Sequence, residues 1–156
     1  MNTIAAAVPI NRPRIVRPIA VGGAIAGTLD LISAFITYGW GVPKGIASGA
    51  LGTSAFQGGI GTWFLGVVLH YTIAFGAAAV FCLAAAWLPA LARRFWVTGP
   101  LYGIVVYFFM QRVVLPLSAF PFKGQSTPLP ALVQGVAVHM ILIGLPMAFS
   151  ARRFSR

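Results

Sequence analysis

Residues 61–88 read GTWFLGVVLHYTIAFGAAAVFCLAAAWL, a run that holds no Asp, Glu, Lys or Arg. A helix needs about 20 mainly apolar residues to cross the hydrocarbon core of a bilayer, and this run exceeds that length without a break. Three further windows of the same kind lie on either side, at 18–41, 97–118 and 129–150. Gly41-Val42-Pro43-Lys44 closes the first window, and Pro89 followed by Arg93 and Arg94 closes the second. A proline-rich stretch with Pro116, Pro121, Pro128 and Pro130 separates the third from the fourth. The sequence therefore predicts an all-α, polytopic membrane protein of four transmembrane helices, a single membrane domain over 1–156. Almost nothing is left over for a globular domain.

The composition points the same way. Of 156 residues, 59% are hydrophobic and 8% are charged, against about 25% charged in a soluble domain. An ordinary soluble fold, a disordered tail and a secreted disulfide scaffold are excluded. The formal net charge of +10 does not signal a nucleic-acid partner, because the basic residues sit at the edges of apolar runs. Arg12, Arg14 and Arg17 precede the first window, Arg93 and Arg94 follow the second, and Arg152, Arg153 and Arg156 follow the fourth. Lys44 and Lys123 fall on the other side and Arg112 within a span. Basic residues concentrate on the cytoplasmic side of membrane helices, so both termini are expected in the cytoplasm, with the chain in a bacterial inner membrane. Anionic lipid headgroups are the expected contacts of Arg12, Arg14, Arg17, Arg93, Arg94, Arg152 and Arg153. Arg17, an apolar run and Ala24-Ile25-Ala26 together imitate a signal peptide, but the apolar run continues to Tyr38, which favours a retained span.

The two halves of the chain resemble each other. Val21-Gly22-Gly23-Ala24-Ile25-Ala26-Gly27 aligns with Val97-Thr98-Gly99-Pro100-Leu101-Tyr102-Gly103, and Gly66-Val67-Val68-Leu69-His70 with Gly135-Val136-Ala137-Val138-His139. One reading is a helical hairpin used twice in the same orientation, as in parallel-repeat membrane proteins. The other is coincidence among Gly- and Val-rich helices. Gly23/Gly27 and Gly99/Gly103 are small-xxx-small pairs that let helix backbones approach closely, and from them the first and third spans are expected to touch. At helical spacing Gly23, Gly27, Asp30, Ala34 and Thr37 share one face, Gly66, His70, Ala74 and Ala77 a second, and Gly135, His139 and Leu142 a third. Between the first two spans, Lys44–Gln57 is too weakly apolar to cross; an interfacial helix, a re-entrant segment and an ordered loop all remain open.

Ionisable groups at membrane depth are costly and usually face the bundle interior. There are four candidates. Asp30, His70 and His139 each lie about ten residues from the outer ends of their windows, roughly 15 Å deep at the helical rise. They suggest one midplane cluster. Arg112 lies about six residues from its outer boundary, roughly 9 Å, and completes the candidate set. Nine positions after Gly103, it falls on the opposite side of its helix, so it either snorkels to the headgroups or reaches back to Asp30. Asp30 is either a structural acid in a tightly packed face or a proton-carrying or substrate-facing group.

The two His residues, each four after a Gly, permit two readings. Each donates a cross-helix hydrogen bond, or the pair serves as axial ligands of a b-type haem. A closed zinc site would need more ligands than these. Cys82 reads as a small buried hydrophobe, and Trp40, Trp63, Trp87 and Trp96 as an interfacial belt. With one acid in the chain there is no carboxylate pair, and neither a phosphate-binding glycine loop nor a nucleophile triad is present. Catalysis is not expected.

His70 followed by Phe75-Gly76, Leu88-Pro89, Gly103, Arg112-Val113-Val114-Leu115-Pro116-Leu117, His139 and Arg152-Arg153 resemble the pattern of the YagU-like bacterial inner-membrane proteins. The resemblance covers about 90 residues and implies a multi-helix inner-membrane architecture, without pointing to a particular chemistry. The expectation from sequence is a non-enzymatic four-helix protein that binds a lipid-like molecule, another membrane protein or a second copy of itself. A small proton-linked transporter or channel is the alternative, and a haem-binding electron-transfer subunit a further one.

Overall fold

The computed structural model describes residues 15–154. Arg12, Arg14 and Arg156 lie outside them. Among the described residues there is no strand, and four helices are long and apolar enough to cross a membrane: Val16–Tyr38, Ile60–Trp87, Phe95–Leu117 and Leu129–Phe154. These are the first to fourth spans below. The first span stops three residues short of its expected end because Gly39 takes a positive φ of 79°, its N–H closing the last turn on the Phe35 carbonyl. The fourth runs past Ser150 to Phe154, so its helix outlasts the apolar window and carries Arg152 and Arg153 on its final turn. The chain is a multi-pass helical membrane protein.

Contacts between neighbouring spans run antiparallel. Gly27 meets Tyr71 while Gly23 meets Phe75; Gly103 meets Met140 while Gly99 meets Leu145. Tyr102 of the third span donates to the Ala77 carbonyl of the second at 2.7 Å, and Ser150 of the fourth to the Pro18 carbonyl of the first at 2.9 Å. The glycine pairs thus serve a different partner from the one expected. Gly23 and Gly27 seat the first span on the second, and Gly99 and Gly103 seat the third on the fourth. The first and third spans do not meet through these glycines, because each small face is filled by the next helix in the chain.

Two wide turns distort the second half. Leu115 donates to the Met110 carbonyl and Leu145 to the Met140 carbonyl, five residues back in each case. Pro116 and Pro146 follow immediately. A proline inside a helix offers no N–H and its ring clashes with the carbonyl four residues earlier, here those of Arg112 and Leu142. Widening the preceding turn to π-type bonding relieves that clash.

The connection between the first two spans is a helix, Val42–Leu51, followed by a short turn of helix at Ser54–Gln57. The segment is therefore mainly helical and not a plain loop. Its longer helix begins with Pro43 in its first turn, where a missing N–H costs nothing, and ends at Gly52 with φ 63°. Pro43 packs its backbone onto Gly66 of the second span, where a Cβ would collide with it. At the other end, the Ala119 N–H donates to the Gly49 carbonyl at 2.7 Å. The helix therefore lies across the bundle from the second span to the end of the third. Trp63 donates from its indole nitrogen to the Trp40 carbonyl at 2.9 Å and stacks on the Trp40 ring at 4.8 Å, closing the corner beside it.

The two ends of the bundle differ. At the end carrying Arg17, Arg93, Arg94, Arg152 and Arg153, the helices are filled solid by Phe81, Cys82, Ala85, Ala92, Phe95, Ala148 and Ala151. Arg152 lies over the Phe95 ring and Arg17 over Phe154, at 4.8 and 5.6 Å. Next comes a second layer, Ala26, Ala78, Ile143 and Met147. Above that layer the four helices diverge and leave a cavity.

Candidate functional site: a one-ended cavity

The cavity measures about 360 Å³ and draws its walls from all four spans and the connecting helix. Ligand pockets in proteins run from roughly 300 to 1,000 Å³, so it has the volume for a small organic molecule. Met147, 1% exposed, and Ala26 close its floor; Val42 and Ile46 of the connecting helix line it at the other end.

Three of the four ionisable candidates reach it. Asp30 comes from the first span, His70 from the second and His139 from the fourth, all half-buried. They arrive there because Gly27, Asp30, Ala34 and Thr37 do share one helix face, as do His70, Ala74 and Ala77 on the second span, and these faces turn inward. Arg112 does not join them. It is exposed on the outside of the third span, while its neighbour Gln111 lines the cavity. The correction follows from the angular position opposite Gly103, which the widened turn does not reverse. Among the described residues, no Lys or Arg lines the cavity.

Hydrogen bonds orient both imidazoles. His70 donates from Nε2 to the Gly27 carbonyl of the first span at 2.8 Å, and His139 from Nδ1 to the Gly135 carbonyl one turn earlier at 2.9 Å. A carbonyl only accepts, so each of these nitrogens carries a proton. In the neutral rings, Nδ1 of His70 and Nε2 of His139 then hold the lone pairs. His139 also meets the Tyr107 ring edge-to-face at 5.2 Å.

Several polar lining residues escaped the sequence reading: Ser33, Tyr107, Gln111 and Gln134. Tyr107 had a signal, since it continues the Gly99, Gly103 face at four-residue spacing. Gln134 donates to the Thr37 hydroxyl at 3.2 Å and bridges the fourth span to the first at the cavity's edge. Gln111 carried the same signal, four residues beyond Tyr107 in that series.

The donor set fits a haem poorly. Histidine usually ligates haem iron through Nε2; His139 keeps that nitrogen free, but Nε2 of His70 is engaged by the Gly27 carbonyl. The described residues bring no three His, Cys, Asp or Glu side chains together as metal ligands. The glycines on the packing faces serve helix contact: a Cβ on Gly103 would strike the His139 carbonyl, and one on Gly135 the Tyr107 ring. Comparison of the chain with protein families, curated proteins and solved structures returned no match.

Proposed function

We propose that this chain is a non-enzymatic binding protein of a bacterial inner membrane, with both termini in the cytoplasm, whose cavity holds a small or lipid-like ligand on behalf of a partner. The observation that carries this reading is a cavity of about 360 Å³ whose lining includes Asp30, His70 and His139, each from a different span. Burying ionisable groups at membrane depth is expensive, and a bundle gains nothing by gathering them around a void unless something occupies it. The clustering of Arg17, Arg93, Arg94, Arg152 and Arg153 at the solid end supports the orientation, since that end would face cytoplasmic anionic lipid. The cavity then faces outward. The resemblance to YagU-like proteins is in keeping with this architecture. Native mass spectrometry of the gently extracted protein tests the reading: wild type is expected to retain a bound molecule that Asp30→Asn loses. Equal occupancy, or none in either, would overturn it.

A second reading, a small proton-linked transporter built from two parallel hairpins, draws support from the packing glycines. Residues 27 and 103 lie 76 apart, and the residues they meet, Tyr71 and Met140, lie 69 apart. Those are the offsets of the sequence repeat. In proteoliposomes, this reading expects substrate or proton flux that Asp30→Asn abolishes while the protein remains folded.

A further inference from the structure

We infer that the cavity ligand is a small organic cation carrying an ammonium group, with Asp30 as its counter-ion; this rests on the cavity being a binding site. Asp30 is the only acid in the chain, and it lines a cavity that, among the described residues, has no Lys or Arg in its walls. The one basic residue within the apolar span windows, Arg112, points away on the outside of the bundle. Among the described lining residues no side-chain cation is available to Asp30, and an ammonium guest would supply the counter-charge.

The remaining polar groups suit the same guest. The Gly27 and Gly135 carbonyls take up one N–H from each imidazole, which leaves Nδ1 of His70 and Nε2 of His139 as acceptors. An ammonium group is donor-only, so a cavity lined by a carboxylate and by imidazoles with acceptor nitrogens suits it where it would not suit a second carboxylate or a phosphate. The rest of the wall, including Ala34, Ile73, Val106 and Ile143, is apolar, which suits an organic body rather than a bare metal ion.

The test compares three probes of nearly equal size on the full chain in phosphatidylcholine nanodiscs, by isothermal titration calorimetry: phenethylammonium, the neutral 2-phenylethanol and the anionic phenylacetate. Wild type is expected to bind phenethylammonium at least about tenfold more tightly than either other probe, the scale of one desolvated charge pair. Asp30→Asn, nearly isosteric, should lose that preference, and Asp30→Glu, which keeps the charge, should retain it. A thermal melt of each variant reports folding separately. If 2-phenylethanol or phenylacetate binds as well as the ammonium probe, or if Asp30→Asn keeps the preference, the cation assignment fails while the binding cavity stands. If none of the three binds to wild type, the binding reading itself falls.

Discussion

Gly103→Ala is the substitution whose effect follows most directly from the packing. A Cβ built at Gly103 would collide with the His139 carbonyl and stand 2.6 Å from the Met140 Cα. Both are backbone atoms, so no side-chain rotation relieves the contact. The third and fourth spans must separate by about 1 Å, and a gap of that size forfeits a quarter to a half of each dispersion contact along the seam. Overpacking of this kind costs about 1–3 kcal/mol, and a clash with backbone belongs at the upper end. Alanine recovers about 1 kcal/mol of helix propensity over glycine, leaving a net loss of about 2 kcal/mol, close to a 30-fold change in the folding equilibrium. Gly76→Ala is the control: it lies within the second span and has nothing within 4 Å of the new Cβ, so only the propensity gain remains. Reversible unfolding in mixed detergent micelles, followed by circular dichroism, measures both. The two variants should differ by about 3 kcal/mol. A difference below about 0.5 kcal/mol, the spread of inconsequential substitutions, would refute the backbone contact between these spans.

Met147→Ala should remove the floor of the cavity and destabilise the protein by about 2–5 kcal/mol in the same assay, as for other buried Met truncations. Ser150→Ala should cost about 1 kcal/mol, because the buried Pro18 carbonyl loses the hydroxyl 2.9 Å away while keeping a packed neighbour.

Much of this arrangement is legible in the sequence. The four apolar windows place the spans to within a few residues, and the periodicity that groups Gly27, Asp30, Ala34 and Thr37 identifies a face that turns to the cavity. Helical spacing, however, tells which residues share a face and not which helix will cover it. Gly23 and Gly99 look alike in sequence, and their partners are decided only when all four spans assemble. The connecting helix is similarly hidden: Lys44–Gln57 is ambiguous by composition, and its place as a roof depends on Pro43 finding Gly66. By contrast, Gln111 lines the cavity and its neighbour Arg112 does not. That division follows the four-residue series Gly99, Gly103, Tyr107, Gln111, with Arg112 about 180° from Gly103 at 100° per residue.

The bundle is hollow at one end and packed at the Arg-rich end, and the orientation we propose turns the hollow end outward. Cysteine accessibility tests it most directly, in a chain where the single native thiol is removed as Cys82→Ala. Ala34→Cys lines the cavity, whereas Ala85→Cys sits in the solid layer. A membrane-impermeant methanethiosulfonate added to the outside of intact cells is predicted to modify Ala34→Cys and to leave Ala85→Cys untouched. Protection of Ala34→Cys from outside, or equal modification of the two positions, would contradict the account.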